Sequence, residues 1–235
     1  MNQLQFDEEG RTILREFLED ILRYYGNDRE KENKGGLAIE ALTEIFPKEI
    51  KELVDINEEY EIKSSEGQPK LPKVPLIAVM DKEITITPQE GYYIVYLFNE
   101  KMKGVYLSLN QGWTEYTKKY KEDVNKKAVE NTKILKEKLK SILKLSERFS
   151  FEPIDLDATS EFGQGYEQTH IYGRYYPTKE IPDDSVLIED LKKLMDIYKK
   201  FKEKIGRDHF KYLDKILREE EDKKIAILRG AGIKI

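Results

Sequence analysis

The chain has 235 residues, 39% apolar and 37% charged, with 41 Lys and Arg against 46 Asp and Glu and a formal net charge of −5. It has no cysteine, which excludes disulfides and thiolate metal sites and makes the cytoplasm the expected setting. No apolar run reaches the roughly 18 residues that a membrane helix needs, and no apolar signal segment opens the sequence. The acidic balance argues against a non-specific nucleic-acid coat, while a local basic face stays possible.

Asp7 is placed to cap a helix running to about Tyr25, with Leu14, Phe17, Leu18, Ile21 and Leu22 on one stripe. Gly26, Asn27 and Asp28 end it. Residues 37–46 and 47–56 read as two short helices, with Pro47 at the break. Residues 60–63 suit a short strand, and 64–73 (SSEGQPKLPK) a loop. The stretch 74–113 holds three β-branched and aromatic runs bounded by turn residues, the pattern of strands. The middle run, Tyr92–Phe98, is apolar at every position and is expected to be buried on both faces. The run 105–109 alternates more, and Asn110, Gln111, Gly112 and the only tryptophan, Trp113, follow it.

Thr114 then opens a single predicted helix to about residue 145, with Tyr120, Val124, Ala128, Leu135 and Leu139 on its apolar face. Residues 149–156 read as a strand interrupted by Pro153, 157–165 as a loop, and 166–176 as a strand or hairpin arm. Pro182, Asp183 and Asp184 start a helix that ends at Ile205 with Gly206 behind it. Asp208 caps a last helix, and residues 225–235 form a tail of unassigned state. The predicted class is α+β: a central mixed, mainly antiparallel β-sheet flanked by N-terminal, middle and C-terminal helices. Residues 1–205 are expected to form one domain, with 206–235 a helical extension packed on it.

Several chemistries lack their motifs. There is no G-x-x-x-x-G-K-S/T phosphate loop and no G-x-S-x-G elbow. Gly163 and Gly165 form G-x-G without the third glycine or an expected helix behind them, so they read as loop. His170 and His209 are far apart and read as core or surface residues rather than ligands. The carboxylates around Asp155, Asp157, Asp183 and Asp184 lack the Asp/Glu-x-Lys partner of a nuclease site. Two features point to binding instead. From Lys63 to Lys82 four lysines stand against Glu66 and Asp81, a loop suited to a phosphate backbone. Aromatics near the strand ends, beside Asn110, Gln111 and Gln164, suit a pocket for a flat heterocycle.

The runs I-K-S-S-E-G-Q (62–68), V-P-L-I-A-V-M-D (74–81), I-T-I-T-P-Q-E-G-Y-Y-I-V-Y-L-F (84–98) and V-Y-L-S-L-N-Q-G (105–112) resemble the McrB N-terminal DNA-binding domain family. The likeness covers about residues 6–201. It implies a non-catalytic reader of type IV restriction that binds duplex DNA carrying methylated cytosine and turns the modified base into a pocket. It implies no cofactor, and leaves cleavage to a separate AAA+ GTPase and nuclease subunit. Carried over, Leu76, Tyr93, Leu97 and Phe162 line the pocket, with Tyr93 and Phe162 around the base and Gln164 at its edge. Gly67 and Gln68 fill the hole in the base stack, while Lys70 and Lys73 follow the backbone. The family's G-Q-G-N-W and V-P-W are here Gly67-Gln68-Pro69-Lys70-Leu71 and Val74-Pro75-Leu76, leucines replacing two tryptophans. The alternative is a protein-interaction module that kept the fold without base reading.

Overall fold

The computed structural model describes residues 14–65, 70–143 and 148–230. At its centre the three apolar runs are strands β2 (Leu76–Asp81), β3 (Tyr92–Phe98) and β4 (Gly104–Gln111), joined by β1 (Tyr60–Ser64) and β5 (Tyr172–Pro177). The sheet runs β1-β2-β3-β4-β5 and every pairing among the described residues is antiparallel, at the antiparallel end of the mixed, mainly antiparallel sheet expected. Tyr92–Phe98 is buried at every position, as its unbroken apolar run demands. β4 is nearly as buried, against the alternation expected of it, because both of its faces are covered.

Helices α1 (Leu14–Glu30), α2 (Leu37–Glu40), α3 (Phe46–Leu53) and α7 (Asp184–Ile205) cover one face. Tyr92, Ile94, Tyr96 and Phe98 of β3 point into them. Phe46 meets Tyr96 edge-on at 5.1 Å, and Tyr92 meets Tyr198 and Phe201 at 5.6 Å. Such pairs add about 0.5–1.5 kcal/mol each beyond area burial. The Tyr198 hydroxyl donates to Tyr92 O, and the Tyr92 hydroxyl to Gly206 O, so these rings carry no stranded polar atom. The Asp184 carboxylate at the start of α7 accepts the backbone N–H groups of Leu14 and Arg15 at 3.0 and 2.9 Å, tying α7 to the described beginning of α1.

The helices depart from expectation in four places. α1 runs through Gly26 to Glu30, because its buried stripe continues through Tyr25 to Asp28. Residues 37–53 form one continuous helical run, not two helices, with a π turn at Ala41–Ile45 before α3. Pro47 cannot donate to the carbonyl of Thr43, and the wider turn makes room for its ring. The predicted helix 114–145 is two: α4 (Trp113–Lys119), capped by Gly112, and α5 (Val124–Lys140), with Asp123 left-handed at φ 57 between them. Residues 149–156 form no strand, only a bridge from Ser150 to Gly173, and 161–168 is a helix, α6 (Glu161–Gln168). The last helix is α8 (His209–Gly230), with Lys211 N donating to Asp208 Oδ1 at its start. Asp7 and the final five residues of the expected tail lie outside the described residues.

Candidate nucleic-acid interface

The other face of the sheet is covered by residues 154–168 rather than by long helices. Val74, Leu76, Ala78 and Met80, then Tyr93, Val95 and Leu97, close with Ile154 and Leu156 into a second apolar cluster. Tyr106, Ala158 and Tyr166 pack on its margin. Three of the predicted pocket residues therefore share this one cluster. Leu76 faces Leu97 directly across β2 and β3. Tyr93 shares that face four residues along the strand, roughly 13 Å away at 3.3 Å per residue. Its ring is 0% exposed, its hydroxyl donates to Pro88 O at 2.7 Å, and burial holds that hydroxyl's pKa well above its ordinary value.

Phe162 and Gln164 stand outside this cluster, on α6. Ser160 caps the helix, its hydroxyl accepting from Gly163 N at 3.2 Å. Gly163 faces inward: a Cβ there would lie 2.6 Å from Ala158 Cβ and 3.0 Å from Val74 Cγ2. Gly165 does the same against Trp113, at 2.2 Å from Cδ2. The G-x-G pair thus allows close packing of a helix, and the loop expected there is corrected. With the glycines turned in, Phe162 is 57% exposed, and Gln164 is exposed with its Nε2 donating to Ala158 O. Among the described ring pairs Tyr93 and Phe162 do not meet.

A charged rim surrounds the Leu76–Leu97 end of the cluster. Asp157 accepts from Lys101 Nζ and Asn99 Nδ2, each at 2.9 Å, and pairs with Lys103 at 2.8 Å. Hydrogen bonds from Lys103, Lys101 and Asn99 hold its carboxyl far below the usual range. Glu100 accepts from Thr159 N and Oγ1 at 2.8 and 2.7 Å and lies 3.5 Å from Lys73 Nζ. Burial alone would raise its pKa, yet the bonds from Thr159 and Lys73 bring it below the ordinary value. The three lysines keep more than half of their side-chain surface in solvent. The loop that carries Lys73 is pinned from α1, where Tyr25 Oη donates to Pro72 O and Arg29 to Lys73 O. Lys70 is exposed, and Gly67 and Gln68 lie outside the described residues. The partnership of Asp157 with Lys101 and Lys103 is not visible in the sequence because it spans more than fifty residues. The available signal was the N-E-K-M-K-G turn itself.

Of the three amides expected beside a heterocycle, Asn110 and Gln111 are core residues. Gln111 donates to Thr132 Oγ1 and Thr169 O and accepts from Tyr116 Oη, and Asn110 donates to Tyr166 O. Both histidines are buried, and burial pushes each down to about 3; His170 bonds Ser108 Oγ at 2.7 Å. Among the described residues no group of three or more His, Asp or Glu is placed to hold a metal ion. Nor is any described helix long and apolar enough to cross a membrane.

Compared with known proteins, residues 20–203 match the model of a family described as MrcB-like, N-terminal domain. No curated protein and no solved structure matches the chain. The matched span begins within α1 and ends within α7, so it takes in the whole sheet, the second cluster and the charged rim.

Proposed function

Because the chain belongs to the MrcB-like N-terminal domain family, a family of non-catalytic DNA-binding reader domains, we propose that it recognises a modified base, a methylated cytosine first among them, in duplex DNA. The base leaves the stack and enters the second cluster at its Leu76–Leu97 end. Leu76, Tyr93 and Leu97 form the inner wall, with Phe162 at the mouth and Gln164 beside the base edge. Gly67 and Gln68 enter the duplex. Lys70, Lys73, Lys101 and Lys103 hold the flanking phosphates. A separate AAA+ GTPase and nuclease act on the DNA so marked.

The observation that carries this reading is a juxtaposition. An apolar face holding Leu76, Tyr93 and Leu97 ends at a rim with three solvent-facing lysines, and α6, which carries the exposed Phe162, packs through Gly163 against Val74 of the same cluster. Tyr93 and Leu97 are closed over, so capture requires residues 154–162 to part from the sheet. Unstacking the base costs a few kcal/mol, which stacking on an aromatic ring, worth about 1–3 kcal/mol, helps to offset.

The test is a titration of the protein with duplexes carrying cytosine, 5-methylcytosine, 5-hydroxymethylcytosine, 4-methylcytosine or 6-methyladenine at two salt concentrations. One modified duplex should bind more tightly than the plain one, and Phe162→Ala should cut that preference by about fivefold or more. Equal binding of all five duplexes would overturn base reading. The closure of Tyr93 and the engagement of the rim lysines by Asp157 and Glu100 favour a second reading, a protein-interaction module that kept the fold. That reading predicts no duplex binding even at low salt.

A further inference from the structure

Helix α8 lies beyond the family-matched residues 20–203. Its first turns belong to the body, since Phe210 and Leu213 are buried in the main core. Its later turns do not: Leu217, Ile227 and Leu228 are 39%, 70% and 38% exposed. At about 100° per residue, Leu213, Leu217, Glu220, Lys224 and Ile227 form one stripe with the alternating spacing of four and three that marks a coiled-coil seam. Where α5 flanks the first half of this stripe there is a groove of about 610 Å³, lined among others by Ile134, Tyr212, Ile216 and Leu217.

We propose that this face pairs antiparallel with the same face of a second copy of the chain, about a two-fold axis beside Asp222. The occupant follows from the pattern of the stripe. In such a pair, residues equally far from Asp222 on either side meet. Leu217 then meets Ile227, and Glu220 meets Lys224. Apolar groups face apolar groups and each charge faces its opposite, twice over by symmetry. A parallel pair in register would instead set Glu220 on Glu220 and Lys224 on Lys224. Asp222 points to the far side of the helix, and the like charges nearest the axis, Glu221 and Lys223 with their own copies, lie on the flanks of the seam rather than in it. Among the described residues neither Glu220 nor Lys224 has an ion-pair partner within the chain. The exposed tip cannot fill its own groove, because Leu217 and Ile227 are roughly 15 Å apart along one continuous helix. A charged pair at seam positions fixes register and orientation in coiled coils at some cost in stability.

Sedimentation equilibrium of the full chain tests this. The wild type should show a concentration-dependent monomer–dimer equilibrium, and Ile227→Glu should be monomeric with an unchanged far-ultraviolet spectrum. Glu220→Lys and Lys224→Glu should each weaken the dimer at least about tenfold, and the double exchange E220K/K224E should recover it. A wild type that stays monomeric at every soluble concentration, whether its helix tip is bare or taken by another protein, overturns the proposal. So does a dimer indifferent to Ile227→Glu, or a double exchange that fails to recover.

Discussion

In the proposed interface, Asp157 sets how available the rim lysines are to DNA. It holds two of them, and its backbone at φ 51 favours a residue that tolerates the left-handed region. Asp157→Asn keeps that tolerance and removes the charge. Both lysines are then free to pair with phosphates. Affinity for plain duplex should rise severalfold, and the slope of log K against log salt should steepen by about one to two, as titration across a salt series would show. The native carboxylate would thus suppress indiscriminate binding, so that a captured base is needed to make up the difference. Phe162 and Tyr93 also part company at this scale. Replacing exposed Phe162 by Ala leaves the core intact. Tyr93→Ala removes a fully buried ring, and at about 3–5 kcal/mol for such deletions its loss of binding would say little about recognition.

Glycines separate the helices whose position matters from those that merely fill a face. In α6, Ala at 165 would gain about 1 kcal/mol of helix propensity but put its methyl 2.2 Å from the Trp113 ring, and overpacking costs about 1–3 kcal/mol. Gly165→Ala should therefore lower stability in urea unfolding. Gly26→Ala in α1 meets nothing closer than Met102 Cγ at 4.0 Å and should raise stability by about 0.5–1 kcal/mol. The same contrast explains what could be read in the sequence. Strands β2 to β4 were legible because unbroken β-branched and aromatic runs between turn residues permit little else, whereas the strand expected at 149–156 did not form. α6 was not, since two glycines look like loop until Trp113 and Val74 are brought against them. The break between α4 and α5 was hidden because Tyr120 and Val124 keep helical spacing across it with no Gly or Pro to mark it. The burial of Leu76, Tyr93 and Leu97 was legible from their apolar runs, whereas the hold of Asp157 on Lys101 and Lys103 depends on folding and leaves no local trace.

For the molecule as a whole, the two buried histidines set an acid limit. Folded, each resists protonation down to about pH 3; unfolded, each takes a proton near 6.5. The unfolded state therefore binds more protons as pH falls below about 6.5. The contribution is complete above that value and is lost at about 1.4 kcal/mol per pH unit for each histidine on the way down. His209 packs among Tyr92, Tyr116 and Phe210 with its Nε2 unbonded, so Phe suits its place. Urea unfolding at pH 7, 6 and 5 should show His209→Phe with a shallower loss than wild type by about that slope, the carboxylate contributions being common to both.

The clasp of Asp184 on the backbone of Leu14 and Arg15 bears on how the protein is made. A chain leaving the ribosome presents α1 well before its acidic clasp, which follows 170 residues later. β1 to β4 can zip in sequence as a meander as they emerge, but β5 must wait for the excursion through α4, α5 and α6. Until then the apolar side of α1 has only part of its final bed. A nascent chain stalled before α7 should be a target for chaperones, and completion of that helix is the step that releases it.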